Sequence, residues 1–147
     1  MADLTATIGF LLGWIAANTA YTNADRLPPP VVVIMPQRDI DRGCATCFGG
    51  GAAATYHCDT KTIAISREAI ASLGTRLDPI LAHELTHHAQ CLAWGAIPRA
   101  RECAAEREAY DVSARYLVYQ LGDLPETRVL AQRHRDAAEK ACAASRR

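Results

Sequence analysis

The sequence lacks an excess of charge, a membrane-length apolar run and any internal repeat. Its 147 residues carry 16 Lys and Arg against 16 Asp and Glu, so the formal net charge is zero. This neutral balance argues against nucleic acid as the main partner, because phosphate backbones are bound by basic surfaces. The apolar stretch at residues 8–17 is too short to span a membrane. Half of the residues are hydrophobic, which argues against disorder and for one domain with a real core.

The apolar N-terminal stretch also lacks the features of a signal peptide. No Lys or Arg precedes it, and no clear small-residue cleavage site follows it. Leu4, Ile8, Leu11 and Ile15 recur at helical spacing, which predicts a retained amphipathic helix. A removed signal segment over residues 1–20 is the alternative.

A second C-x-x-C string is missing, although Cys44-Ala-Thr-Cys47 is present. A structural zinc site at this string would need His57 and Cys58 to complete a tetrahedral set of ligands. A disulfide within the loop of residues 44–58 is the favoured reading.

The total of six cysteines is high for this length. Cys91 and Cys103 flank a loop between two predicted helices, and Cys142 can reach Cys103. An even count favours disulfides and export to an oxidising compartment, whereas the weak signal-peptide evidence favours the cytoplasm. Both locations remain open at this point.

The most informative pattern is the string His83-Glu84-Leu85-Thr86-His87. Residues four apart lie one turn above each other on an α-helix, so His83 and His87 can offer two imidazole nitrogens to one metal ion. Glu84 lies beside them, where a carboxylate can take a proton from a metal-activated water. The string predicts a zinc site with Glu84 as general base.

The flanking residues place this string on a partly buried helix. Asp78 is predicted to be the N-cap and Pro79 the first helical residue. Gly95 and Pro98 are predicted to end the helix. Apolar residues just before His83 indicate burial, and a buried histidine pair requires a partner.

A catalytic zinc takes three protein ligands and leaves a fourth position open. A second long helix is predicted over residues 101–121, and it carries Glu102, Glu106 and Glu108. Glu106 lies at the centre of the face that is expected to meet the metal helix, whereas Glu108 points about 200° away. We predict Glu106 as the third ligand, with Glu102, one turn earlier, as the reserve.

Small residues at Ala109 and Ser113 lie on the same face of that helix as Glu106. Small side chains let two helix backbones approach closely. The pattern therefore predicts close packing of the two helices around the metal.

The arrangement resembles the gluzincins, zinc metallopeptidases with two helical histidines, a catalytic Glu and a Glu ligand on a following helix. Eighteen residues separate His87 from Glu106, which begins a Glu-x-x-Ala string. The resemblance implies His83, His87 and Glu106 as zinc ligands, Glu84 as general base and a peptide or protein as substrate. Many such families carry Asp four residues after the Glu ligand. Here that position is Tyr110, so either the ligand's partner differs or Tyr110 takes its place.

A closer resemblance covers most of the chain. It is similar to a family of small bacterial proteins of unknown function with an H-E-x-x-H-H-x-Q helix followed by an R-E-x-x-A-Y-type helix. Their pattern also has a leading helix, a Pro-preceded strand and a Tyr-containing hairpin. The matching segments are residues 14–19, 29–33, 56–65, 83–90 and 103–110.

The remaining segments predict a small three-stranded sheet. The β-branched run Val31–Ile34 follows three prolines and is predicted to be a buried strand, and residues 36–52 a Gly-rich loop. Residues 54–58 and 62–66 predict a hairpin around a short turn. The second hairpin strand precedes the metal helix, as in the gluzincins, where an edge strand aligns extended substrate.

Two further helices are predicted at residues 67–73 and 125–144. Together these elements predict an α+β fold, with a single zincin-like domain over residues 1–147. Its predicted parts are an N-terminal helix, a three-stranded sheet with a hairpin, the metal helix, the Glu-ligand helix and a C-terminal helix.

Several polar residues have two possible roles. Tyr110 is predicted either to hydrogen-bond the oxyanion of a tetrahedral intermediate or to fill the gap between helices. His88 is predicted to point away from the ligand face, as a partner of other residues or on the surface. Gln90, His57 and His134 are predicted to be ordinary polar contacts away from the site.

The predicted function is hydrolysis of peptide bonds by a zinc metallopeptidase. One alternative is a non-catalytic zinc-binding module whose metal stabilises the fold or holds a partner. Another is a regulatory factor that cleaves a single partner.

Overall fold

The structure is a computed structural model that describes residues 3–43 and 52–145 of the chain. Within these ranges it has six α-helices and three strands, which confirms the α+β prediction. The elements are α1 (Leu4–Asn18), β1 (Val31–Met35), α2 (Gln37–Gly43), β2 (Ala54–His57), β3 (Thr62–Ser66), α3 (Arg67–Leu73), α4 (Asp78–Trp94), α5 (Glu102–Leu121) and α6 (Pro125–Ser145). The predicted N-terminal helix, hairpin, metal helix, Glu-bearing helix and C-terminal helix are therefore all present.

The sheet has the strand order β1-β3-β2, so β3 lies in the centre. β1 runs parallel to β3, with Val31 opposite Thr62 and Met35 opposite Ser66. β2 and β3 form the antiparallel hairpin, whose turn places Lys61 in the left-handed region with φ 53°. The inner strand is covered on both faces, since Ile63 and Ile65 on one face are 0% exposed and Ala64 on the other is 2% exposed.

The prediction that Val31–Ile34 forms a buried strand is wrong as to burial. β1 is an edge strand, and Val31, Val33 and Ile34 are 59%, 37% and 46% exposed. A β-branched run favours extended backbone because these side chains suit a pleated surface. It does not determine which strand of the sheet is covered on both faces.

The prediction of a loop over residues 36–52 is also wrong in its first part, because residues 37–43 form α2. The first turn of α2 is tied to neighbouring elements. The backbone N–H of Gln37 donates to Glu68 Oε2 at 2.9 Å, and its side chain donates to Asp41 and to the carbonyl of Ala52. The triple glycine at 49–51 lies outside the described residues.

The start of α4 differs from its sequence prediction, whereas its end agrees. A 3₁₀ turn over Gly74–Leu77 leads directly into the helix, so Asp78 lies in its first turn and is not the N-cap. The Asp78 carboxylate accepts a hydrogen bond from Gln120 at 3.2 Å. Gly95 closes the helix with φ 75°, a conformation that costs glycine little because it has no Cβ.

The core lies between α1, α4, α5 and the inner face of the sheet. Leu11 and Ile15 of α1 are 0% exposed, as is Leu85 of α4. α1 therefore packs as the helix that its spacing predicted. No helix in the described ranges is both long and apolar enough to cross a bilayer.

Two disulfides join elements that are distant in sequence. Cys103 of α5 is bonded to Cys142 of α6, as their predicted proximity indicated, with Cα atoms 4.8 Å apart. Cys58, which follows β2, is bonded to Cys91 of α4 with Cα atoms 5.8 Å apart. Such bonds fit an oxidising or exported setting.

The Cys58–Cys91 bond overturns both roles predicted for Cys58. Its sulfur is not available as a zinc ligand and does not close a bridge within residues 44–58. Sequence spacing missed the bond because β2 and α4 are brought together only by the tertiary fold. Cys44 and Cys47 lie outside the described residues.

Replacing Cys103 and Cys142 together by Ser is expected to lower the free energy of unfolding by about 4 kcal/mol. The bond closes a segment of 39 residues, and its loss increases the entropy of the unfolded chain. Urea unfolding in oxidising buffer measures the difference. Equal unfolding free energies for parent and variant would contradict the assigned bond, and a non-reducing peptide map of the parent is the control.

Candidate metal centre

Three side chains from two helices converge on one point. His83 and His87 lie one turn apart on α4, and their Nε2 atoms are 3.1 Å from each other. Glu106 of α5 faces them, with Oε2 at 3.5 Å from His83 Nε2 and Oε1 at 3.3 Å from His87 Nε2. Among the described residues, this is the group of His, Cys, Asp or Glu side chains that can hold a metal ion.

The spacing of these donor atoms fits a small divalent cation such as zinc. Imidazole nitrogens and carboxylate oxygens lie about 2.0–2.2 Å from zinc, and tetrahedral ligands at that distance are roughly 3.4 Å apart. The three observed separations, 3.1, 3.3 and 3.5 Å, lie on both sides of that value. Two imidazoles and one carboxylate are also a donor set that zinc accepts.

The Nδ1 atoms of the two histidines, which point away from the centre of the group, have different surroundings. His87 Nδ1 lies 2.8 Å from Oε1 of Gln90, which is an acceptor. His83 Nδ1 is buried and has no hydrogen-bond partner in the described part of the chain. Both imidazoles are nearly covered, with side-chain exposures of 10% for His87 and 12% for His83.

The contact between His87 and Glu106 favours the charged form of both side chains. Burial alone would lower the pKa of His87, but the hydrogen bond with Glu106 and its negative charge outweigh burial and raise this pKa. Burial would likewise raise the pKa of Glu106, and the contact with His87 lowers it instead. A cation is therefore favoured at this point, and a bound metal ion would displace the proton of His87.

His83 remains neutral in this environment. Burial, followed by the positive charge of His87, lowers the pKa of His83 to about 3. A neutral imidazole is the form that binds metals, because its free nitrogen carries a lone pair.

Glu84 is buried beside the ligands and is 8% exposed. Burial raises the pKa of its carboxyl to about 7, although the charge of His87 acts in the opposite direction. The backbone of Tyr56, in β2, also acts to lower this pKa. Glu84 is thus a proton-accepting group held between the metal helix and the sheet.

Two cavities adjoin the cluster on different sides. One, of about 210 Å³, is lined by His83, Glu84, Tyr110 and His134 together with apolar side chains. The other, of about 170 Å³, borders His87 and Glu106. Space for a bound molecule therefore exists next to both the ligands and the carboxylate of Glu84.

Tyr110 lies where either of its predicted roles is possible. Its ring meets the His83 ring edge-on with centroids 4.3 Å apart, and it lines the larger cavity. It is half-buried, and burial followed by the charges of Glu106 and Glu84 raises the pKa of its hydroxyl.

The structure places the remaining candidates unambiguously. His88 is 1% exposed and bridges Tyr56 Oη at 3.0 Å and the carbonyl of Pro28 at 2.8 Å, so it is not a ligand and not on the surface. Glu102 is exposed and does not belong to the ligand group, although it borders the smaller cavity. His57 is exposed and contacts Thr55.

Three polar residues at the site were not expected there. Gln90 contacts His87, and Glu108 in turn accepts from Gln90, although helix angle had placed Glu108 away from the ligand face. His134 of α6 lines the larger cavity, with Nδ1 at 2.9 Å from Ser113 Oγ. The contact between Gln90 and His87 could have been predicted from the sequence, because residues three apart on a helix are neighbours. Nothing in the sequence positions α6 over the site.

The prediction that the second hairpin strand is an edge strand that aligns substrate is wrong, because this strand, β3, lies in the centre of the sheet. β2 is the edge strand beside the metal helix. The carbonyl of Ala53 accepts a hydrogen bond from the backbone N–H of Ser66 in β3. In an antiparallel pair, the backbone N–H and C=O groups of successive residues point alternately towards the partner strand and away from it. Because those of Ala53 point to β3, the backbone groups of Ala54 and Tyr56 point to the free edge of β2.

Comparison of the chain with protein families, with curated proteins and with solved structures finds no match.

Replacing Glu106 by Ala is expected to reduce the zinc content of the purified protein from about one ion per chain to a small fraction, because the third ligand is lost. Replacing Glu102 by Ala is the matched control and should leave the content unchanged. Elemental analysis after dialysis against trace zinc measures both. Zinc loss in Glu102→Ala with retention in Glu106→Ala would reverse the assignment.

Proposed function

We propose that this domain is a zinc-dependent metallopeptidase that hydrolyses peptide bonds, with His83, His87 and Glu106 as zinc ligands and Glu84 as general base. The observation that carries the proposal is the position of Glu84. The buried carboxylate of Glu84 adjoins a three-donor group that can hold a metal ion, and it lines the same cavity of about 210 Å³ as one of these donors, His83. A metal site that only stabilised the fold would need neither the carboxylate nor the cavity.

The number of ligands supports catalysis over a structural role. Structural zinc sites are closed by four protein ligands, whereas catalytic sites have three and keep one position open. The group formed by the described residues has three members. Zinc bound there would act as a Lewis acid on a carbonyl and would lower the pKa of a water molecule towards neutrality.

The chain's own part in the reaction is to move a proton and to hold the substrate. Glu84 accepts the proton of the attacking water and then donates it to the leaving amine. The backbone of Tyr56 favours the charged form of the Glu84 carboxylate. His88 in turn holds the Tyr56 side chain through its hydroxyl.

The free edge of β2 is suited to align an extended peptide. An edge strand offers backbone groups that pair with a further strand, which fixes the peptide without reading its sequence. Ala54 faces this edge and also lines the larger cavity, so a peptide paired there would pass the Glu84 carboxylate.

Glu84→Gln is expected to keep zinc and to lower peptide hydrolysis by about 10²–10⁴-fold, because the amide cannot accept the proton. Turnover of a mixed peptide library, followed by mass spectrometry, measures the loss. Glu126→Gln, an exposed carboxylate at the start of α6, is the control and should retain activity. Cleavage by Glu84→Gln at the parent rate would remove Glu84 from the mechanism.

Tyr110→Phe separates the two roles of this residue. If the hydroxyl stabilises the developing oxyanion, the variant should lose about 10-fold or more in kcat with KM and zinc content little changed. If the ring only fills the space beside His83, kcat should be unaffected. Steady-state kinetics on a substrate found with the parent enzyme measure the difference.

A further inference from the structure

Gln90 is a fully buried polar side chain in contact with one of the proposed metal ligands, with 0% exposure. The two ends of its amide have different neighbours. Oε1 lies 2.8 Å from His87 Nδ1. Nε2 donates to Glu108 Oε2 at 2.9 Å and to the carbonyl of Ala105 at 3.1 Å.

These neighbours determine the orientation of the amide. The carbonyl of Ala105 and the carboxylate of Glu108 both accept hydrogen bonds, so the NH₂ end of Gln90 must face them. The oxygen end then faces His87, and His87 Nδ1 must carry a proton to donate to it. Neutral His87 consequently presents the lone pair of Nε2 towards His83 and Glu106.

Glu108 is itself fixed from its other side. The hydroxyl of Tyr21, which follows α1, donates to Glu108 Oε2 at 2.7 Å. A chain of hydrogen bonds therefore runs from Tyr21 through Glu108 and Gln90 to His87. It connects the segment after α1, α5 and the metal helix.

We propose that Gln90, oriented by Glu108 and Ala105, is a positioning residue that holds His87 in the tautomer that binds metal through Nε2. This proposal rests on the zinc site of the proposed function. Without the acceptor at Nδ1, neutral His87 would place its proton on Nε2, where Glu106 Oε1 is 3.3 Å away. That proton would occupy the nitrogen that the metal needs.

The two histidines then have unequal roles. His87 is anchored by the chain before any metal arrives, whereas His83 has no partner for Nδ1. Removing Gln90 should therefore change the tautomer of His87 and leave His83 as an internal reference.

The test compares Gln90→Leu with the parent protein in two measurements. Chelator competition should show that the variant binds zinc about 10–100-fold more weakly, the usual effect of removing a partner of a ligating histidine. Imidazole ¹⁵N chemical shifts of the zinc-free proteins at alkaline pH should show the proton on Nδ1 of His87 in the parent and on Nε2 in the variant. A change in stability alone would not move the tautomer.

Thr86→Val is the matched control, because Thr86 is equally buried on the same helix and its hydroxyl donates to the carbonyl of Ala82 within that helix. It should bind zinc as the parent does. Glu108→Ala, which keeps Gln90 but removes one of its two acceptors, should weaken zinc binding by a smaller factor than Gln90→Leu. If Gln90→Leu does not fold, the zinc affinity of Glu108→Ala is measured in its place.

The proposal is overturned if folded Gln90→Leu binds zinc as tightly as the parent protein. It is also overturned if the proton of His87 stays on Nδ1 in that variant. Where Gln90→Leu does not fold, parent-like zinc affinity of Glu108→Ala overturns it. In those cases the zinc site of the proposed function would stand. A parent protein that binds no zinc would overturn both, so the two failures are distinguishable.

Discussion

The site depends on the register between helices α4 and α5. Ala105, Ala109 and Ser113 are 1%, 0% and 1% exposed on the α5 face that meets α4, so the two backbones approach closely. Two hydrogen bonds from side chains to backbone fix the register, from Gln90 to the carbonyl of Ala105 and from Ser113 to the carbonyl of Pro79. Glu106 lies between these bonds. A shift of one residue along α5 would turn its carboxylate about 100° away from the histidines.

Covalent bonds reinforce this arrangement at both sides of the site. The Cys58–Cys91 disulfide joins the end of β2 to α4, one turn after His87, and the Cys103–Cys142 disulfide joins the start of α5 to α6. The elements that supply Tyr56 and His134 are therefore held against those that supply the ligands. Each bond also restricts the unfolded chain, which stabilises the folded arrangement.

Local spacing was sufficient to predict which three side chains come together as a candidate metal group, and long-range contacts reveal most of what holds them. His83 and His87 follow from the four-residue spacing, and Glu106 from the helix angle and the small residues beside it. The contact of Gln90 with His87 follows from their three-residue spacing, whereas Glu108 and His134 could not be assigned, because their roles depend on which helix faces which side chain. The same reason explains the exposed β1 and the unexpected Cys58–Cys91 bond, since strand order and loop paths are properties of the whole fold.

The most direct test of the central claim is X-ray absorption at the zinc K-edge of protein loaded with one equivalent of zinc. The account predicts only nitrogen and oxygen neighbours at about 2.0–2.2 Å, with the outer scattering of two imidazoles. Sulfur neighbours at about 2.3 Å would place the ion on cysteines and contradict a centre built from His83, His87 and Glu106.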